Sequence, residues 1–269
     1  MLKNAVALTV AGSDSGGGAG IQADIKTFSA LGVFATSVVT AVTAQNLEGV
    51  SAIQALKPEV VEAQLRAVLE GYPVRAIKTG MLFRRNIVAA VAAVLGDYPR
   101  IPIVIDPVFA ATSGSRLIQH GAIRVLSRRL FPMAAVVTPN IPEAEYFLGG
   151  KLRTVDDLRQ AGEALFRRFG VPFLMKGGHL PVPEDEAVDL LVDGEGVKAF
   201  ESKRVVGVDS HGSGCTFSAA IAAYLARGRS LRVAVAGAKS FIAASLRRPH
   251  YLRPGKRVID HFSRRREPA

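Results

Sequence analysis

The chain has 269 residues, 49% of them hydrophobic, and a formal net charge of +11. That length allows one large α/β domain or two small ones. One cysteine excludes an intramolecular disulfide and a cysteine-based zinc centre, and five histidines at 120, 179, 211, 250 and 261 are too scattered for metal-ligand spacing.

The first apolar run, residues 5–10, predicts a strand. It is too short and too quickly polar for a secretory signal, and no stretch approaches the ~18 apolar residues of a membrane span, so a cytoplasmic, soluble protein is expected. The strand opens into Ala11-Gly12-Ser13-Asp14-Ser15-Gly16-Gly17-Gly18-Ala19-Gly20, and a helix is predicted over 21–31. This loop is neither a Walker motif nor a dinucleotide fingerprint. It reads either as a flexible turn or as a close backbone approach to a small ligand, with Asp24 able to hydrogen-bond that ligand.

A second strand over 35–42 is followed by Thr43-Ala44-Gln45-Asn46, whose amides need backbone or ligand partners. A helix over 58–70 leads to a strand at 76–78 and to Lys78-Thr79-Gly80-Met81, where Met81 is either core or an adaptable wall against a heterocycle. A helix over 84–95 precedes a strand at 103–106 that closes with Asp106-Pro107. After a helix over 121–130, the strand 134–138 closes with Thr138-Pro139-Asn140-Ile141-Pro142-Glu143.

Asp106, Asn140 and Glu143 would project from neighbouring strand ends, and such hard oxygen donors suit Mg²⁺. The alternative is that Asn140 caps a helix and Glu143 sits in its first turn. The helix over 154–169 shows one apolar stripe and a Thr154/Asp157 capping box. The strand 173–175 closes with Lys176-Gly177-Gly178-His179, a point charge beside pliant backbone, as a nucleotide phosphate requires. Residues 181–186 read as a loop near a site. Strands over 188–192 and 197–200 follow.

Val208-Asp209-Ser210-His211-Gly212-Ser213-Gly214-Cys215 then runs into helices over 215–226 and 231–246. Unpaired amides at such a helix start form an anion site, and the helix dipole there is expected to favour the thiolate of Cys215. Residues 240–269 hold eight Lys or Arg against Asp260 and Glu267. Without aromatic interleaving the segment from about 247 reads as a solvated, frayed tail rather than a nucleic-acid surface. The alternating order predicts a single α/β domain over 1–269, with a mostly parallel sheet flanked by helices on both faces and ligands beyond the carboxyl ends of its strands.

The motifs AGSDSGGGAGIQAD, TAQN, KTGM, DPV, TPNIPEAE, MKGGH and DSHGSGCTFSAAIAA resemble, in order and spacing, those of hydroxymethylpyrimidine/phosphomethylpyrimidine kinases, the thiamine-pathway branch of the ribokinase-like superfamily. The resemblance spans roughly residues 5–246. It implies a ribokinase-like fold and transfer of the ATP γ-phosphoryl group to 4-amino-5-hydroxymethyl-2-methylpyrimidine and then to its monophosphate. By motif it implies a pyrimidine pocket of Gly12, Asp24, Gln45, Met81 and Val108. Asp106, Asn140, Lys176, Ser213 and Lys239 would bind nucleotide, with Asp106 and Glu143 organising Mg²⁺. Gly212, Ser213 and Gly214 would grip the moving phosphoryl group, and Cys215 would act as base with Lys176 beside it. A homodimer is also implied.

The chain departs from the pattern at Ser213, at Thr112, where the family often has lysine, and around Gly255-Lys256-Arg257. Competing readings are a pyridoxal or pyridoxine kinase, a catalytically silent pyrimidine-binding relative, and a cysteine hydrolase using Cys215 with His211 or His179.

Overall fold

The computed structural model describes residues 5–110, 114, 117–119, 121–178, 180 and 186–262. His179, Thr112, most of the 181–186 loop and the last arginines lie outside these.

The strands β1 (Val6–Asp14), β2 (Phe34–Asn46), β3 (Gly49–Ala55), β4 (Val74–Thr79), β5 (Ile103–Ile105), β6 (Val136–Val137), β7 (Phe173–Lys176), β8 (Glu186–Asp193) and β9 (Gly196–Lys203) form one sheet in the order β3-β2-β1-β4-β5-β6-β7-β8-β9. Strands β2 to β7 of that order are mutually parallel, and β3, β8 and β9 are added antiparallel at its two edges.

Period-two alternation divides the sheet between two cores. Val6, Leu8, Val10, Ile77, Ile103, Ile105 and Phe173 meet α2 (Pro58–Gly71), α3 (Arg85–Gly96) and α6 (Val155–Phe169) on one face. Ala7, Ala76, Val104 and Leu174 meet α1 (Gly20–Ala30), α7 (Ser213–Ala226) and α8 (Leu231–Arg247) on the other. On this second face alanines of the sheet oppose Ala219, Ala220, Ala222 and Ala223 of α7, all with no exposed surface. Small side chains on both surfaces let α7 lie close to the strands, which brings its first turn to their carboxyl ends.

Several expectations shift. Strand β2 runs on through Thr43–Asn46 and pairs with the unanticipated edge strand β3, so Gln45 sits within a strand rather than after one. The helix expected over 121–130 is α-helical only at α4 (Ala122–Val125). It continues as a wide turn over Leu126–Leu130 and a tight one at Phe131–Met133, where Pro132 cannot sustain an α-helix. Strand 134–138 shortens to β6, and its exit starts α5 (Ile141–Leu148).

The segment expected to fray is instead ordered over much of its length. A hairpin of β10 (His250–Arg253) and β11 (Lys256–Val258) turns at Gly255, whose φ of 76° suits glycine. It is anchored where the Arg257 carbonyl accepts the Asp209 N–H, and Arg253 pairs with Glu48. Among the described residues no helix is long and apolar enough to cross a membrane.

Candidate active site

A cavity of about 700 Å³ lies beyond the carboxyl ends of the parallel strands. Its lining includes Gly12, Gln45, Met81 and Val108 at one end and Asp106, Lys176, Cys215 and the start of α7 at the other. Asn140, Glu143, Ser213 and Lys239 also reach it.

At the first end β1 bends at Gly12, where a Cβ would come within 3.0 Å of the Met81 sulfur. Val108 has a φ of 25°, a sparsely populated conformation for a β-branched residue. The next amide, of Phe109, donates to Glu143 Oε1 at 3.2 Å and holds that bend. Gln45 lies 3.1 Å from His211 Nε2 and 3.1 Å from Thr43 Oγ1.

Asp24 does not line the cavity. It is wholly buried beneath it, accepting from Thr9 at 2.6 Å and paired with Lys78 at 2.9 Å. Burial raises the Asp24 pKa although Lys78 opposes the shift. Burial also opposes the Lys78 charge, but Asp24 chiefly, with help from Asp106, holds its pKa above the ordinary lysine value. Lys78 therefore presents a fixed positive charge to the cavity that the sequence reading passed over, and Asp24 acts as its counter-ion.

At the other end Gly212 is the N-cap of α7 with φ of 79°, and no side chain caps this helix. The Ser213 amide donates to the Ser210 carbonyl, so Gly214 and Cys215 supply the first-turn amides that face outward from the helix. Lys176 Nζ is 2.8 Å from Asp106 Oδ1 and 3.3 Å from the point a Cβ on Gly214 would occupy. Ser218, one turn into α7, contributes a hydroxyl 3.1 Å from Asp106 Oδ2. Ser218 is a further site residue without any flag in the sequence, where it reads as one more small residue of an alanine-rich helix.

Burial pushes the Asp106 pKa up, but Lys176, Lys78 and the hydrogen bonds outweigh it and the net shift is downward. Burial likewise opposes the Lys176 charge, and Asp106 and Glu143 more than restore it.

Cys215 corrects the expectation of an acidic thiol. Burial pushes it up to about 11, with Asp24 and Asp106 adding to the rise and Lys78 opposing it. The helix dipole is a local term of limited size, and here desolvation is larger. The Gly20 backbone amide, on the glycine-rich loop, also opposes the rise. His211 Nε2 engages Asp14 and Gln45, so its placement offers the thiol no hydrolase-like base.

Asn140 and Glu143 form a full capping box on α5: the Asn140 side chain accepts from the Glu143 amide, and Glu143 accepts from the Asn140 amide at 2.8 Å. The capping alternative is thus realised. Burial raises the Glu143 pKa, with Lys176 opposing and Asp106 adding. Asp24, Asp106 and Glu143 stand against the two ammonium groups of Lys78 and Lys176, and this surplus of buried carboxyl oxygens fits a hydrated Mg²⁺ taking few protein ligands. No cluster of three acidic, histidine or cysteine side chains able to cage a metal occurs among the described residues. The Lys239 ammonium is already engaged by Asp189 at 2.6 Å and the Ala187 carbonyl at 2.8 Å, and Asp189 in turn accepts the Gly177 amide. Lys239 therefore fixes the turn after Lys176.

An uncapped helix start, a lysine–aspartate pair and a cavity at the carboxyl ends of a parallel sheet are the parts a small-molecule phosphotransferase requires. A profile of the phosphomethylpyrimidine kinase family matches residues 14–260, and the chain belongs to that family. It is 48% identical over 255 residues to a thiamine biosynthesis bifunctional protein of Geobacter sulfurreducens, covering 95% of this chain and 52% of that longer protein. A hydroxymethylpyrimidine/phosphomethylpyrimidine kinase of Rhizobium meliloti is 44% identical, with 97% of this chain and 98% of the relative covered. In three dimensions an ADP complex of Bacillus subtilis pyridoxal kinase superposes with a TM-score of 0.88 at 34% identity, covering 97% of this chain and 99% of that one.

Proposed function

We propose that the protein moves the γ-phosphoryl group of ATP onto the hydroxymethyl oxygen of 4-amino-5-hydroxymethyl-2-methylpyrimidine, and in a second turnover onto the phosphate so formed. The observation that carries this reading is the convergence of Lys176, Asp106, Cys215 and the uncapped start of α7 on a cavity whose far wall is Gly12, Gln45, Met81 and Val108.

In the first turnover the substrate oxygen bonds to the γ-phosphorus as the bond to the bridging oxygen breaks and ADP leaves. The hydroxyl proton passes to the thiolate form of Cys215. Most of the work in such a transfer is alignment and charge stabilisation. Lys176 and the amides of Gly214 and Cys215 supply it at the moving group, with Gly212 and Ser213 shaping the turn. Asn140 and Ser213 edge the nucleotide, and Lys239 acts through Asp189 and the turn at Gly177. Asp106 and Glu143 would hold Mg²⁺ through water, and the ion when bound shields the phosphate charges. Gln45 meets the amino and ring-nitrogen edge of the pyrimidine, between Met81 and the Val108 bend.

Mass spectrometry after incubation with ATP, Mg²⁺ and the free alcohol tests the reading. Mono- and diphosphate should both accumulate, and an unmodified alcohol would overturn it. The fold similarity to the Bacillus enzyme favours one second reading, pyridoxal phosphorylation. A larger kcat/KM for pyridoxal than for the pyrimidine alcohol, read from ADP release, would select it.

A further inference from the structure

Residue His211 stands in the wall between the main cavity and a smaller one of about 170 Å³ beneath the β10–β11 hairpin. Its Nε2 lies 3.2 Å from Asp14 Oδ2 and 3.1 Å from the amide nitrogen of Gln45. These two neighbours make opposite demands. Asp14 accepts the amides of Gly16, Gly18 and Ala19, and an ionised carboxylate offers only lone pairs. A lone pair on Nε2 would face it repulsively, so the proton belongs on Nε2. A protonated Nε2 cannot accept from an amide NH₂.

Turning the Gln45 amide by half a rotation removes the conflict, since its oxygen and nitrogen are alike in shape. The single Nε2–H of His211 is then shared between Asp14 Oδ2 and the Gln45 oxygen, both of them acceptors, and the Gln45 NH₂ donates to Thr43 Oγ1. The Thr43 proton is directed to the Ser13 carbonyl, 3.0 Å away. Each link of the chain His211, Gln45, Thr43, Ser13 then joins a donor to an acceptor, and one N–H of Gln45 remains for a ligand. The arrangement also holds when the imidazole carries both protons, because Nε2 donates in either case.

The ring has little freedom to leave. A Cβ on residue 18 would come within 2.9 Å of His211 Cδ2, so the imidazole fills space that only a glycine leaves. Its own amide is held by Asp209 at 2.9 Å.

We propose that His211 is a positioning residue that donates from Nε2 and fixes the Gln45 amide in one orientation, thereby setting the sense in which the pyrimidine ring docks. With one lone pair and one N–H already engaged, Gln45 offers the ligand one acceptor and one donor in fixed order. A 4-aminopyrimidine presents a donor beside an acceptor, so a single docking sense satisfies both bonds. That sense decides which ring substituent faces Cys215. The substrate part of this inference rests on the kinase reading, but the proton position is a property of the free protein.

The test therefore has two arms. In the ligand-free protein with ¹⁵N-labelled histidine, long-range ¹H–¹⁵N spectra should show a protonated Nε2 at His211, assigned by the signal lost in His211→Gln. A proton on Nδ1 alone would overturn the proposal. In steady-state kinetics His211→Leu should raise KM for the pyrimidine alcohol about 10- to 100-fold, as a misaligned polar partner does, with KM for ATP unchanged. His211→Gln, which restores an N–H, should recover most of the loss. In a Gln45→Ala background His211→Leu should add little further, because the two residues act as one unit. Additive effects, or a loss confined to kcat, would overturn it. A wild-type protein that leaves the pyrimidine alcohol unphosphorylated would refute the kinase reading alone, since the spectra decide the proton position independently.

Discussion

Two residues near the cavity floor are governed by burial more than by their neighbours in sequence. A thiol with a pKa of about 11 is ionised in roughly one molecule in a thousand at pH 8. If the thiolate takes the substrate proton, kcat/KM should rise about tenfold per pH unit between 7 and 10, because deprotonation supplies the reactive form. Cys215→Asp, ionised throughout that range, should give a flat profile there. A flat wild-type profile would remove the thiolate from the mechanism. Cys215→Ala should lower kcat by ~10²–10⁴ while calorimetric binding of the alcohol is retained. The second residue is Asp24. Replacing it by Asn leaves the wholly buried Lys78 without its counter-ion, a loss of about 3–5 kcal/mol for such pairs. The urea midpoint should drop accordingly, and Asp24→Asn with Lys78→Met together should recover part of the loss. An unchanged midpoint in the single variant would show that Lys78 finds other compensation.

At the scale of elements, the site depends on two glycine turns in direct contact. A Cβ on Gly212 would lie 1.8 Å from the Gly18 carbonyl oxygen, and the Gly212 φ is 79°. Gly212→Ala should force the start of α7 away from the glycine-rich loop, and a displacement of about 1 Å is worth about 10² in turnover. Gly149 is the control: its φ is 77° but nothing lies within 4 Å of an added Cβ. Gly149→Ala should cost about 1–2 kcal/mol of stability and leave kcat intact, whereas equal kcat in both variants would discount the loop contact. The two turns were legible in the sequence because glycine runs and an alanine-rich helix are local signals. The contact between them joins residues 18 and 212 and was not. The same separation hid the Lys78–Asp24 pair and gave the Cys215 shift the wrong sign, since the dipole is read locally and desolvation is not. Strand β3 escaped notice because it is a half-exposed edge, apolar on too few positions to show alternation. The hairpin of β10 and β11 was hidden by its basic residues, which read as solvated chain although their backbone pairs.

The whole molecule sets a polarity that no one element carries. Strands β1, β4, β5, β6 and β7 are parallel, so their polar ends converge on one rim while their apolar spans stay between the helices. This much followed from the order of strands and helices, and it explains why residues as distant as Gly12 and Cys215 share a cavity. Onto that rim falls the field of a chain with net charge +11, which attracts a multiply charged nucleotide and is indifferent to a neutral alcohol. Lys78, Lys176 and Lys239 stand at the cavity itself, each beside a carboxylate, so the long-range pull arises from the exposed arginines and lysines around them. Exposed charges are screened over ~8 Å at physiological ionic strength and over ~3 Å at 1 M. Raising KCl from 20 to about 300 mM at fixed free Mg²⁺ should therefore increase KM for ATP several-fold, with KM for the pyrimidine alcohol nearly constant. Equal movement of both constants would mean that salt acts on the folded structure, and no movement in either would mean that capture of the nucleotide depends on close contacts alone.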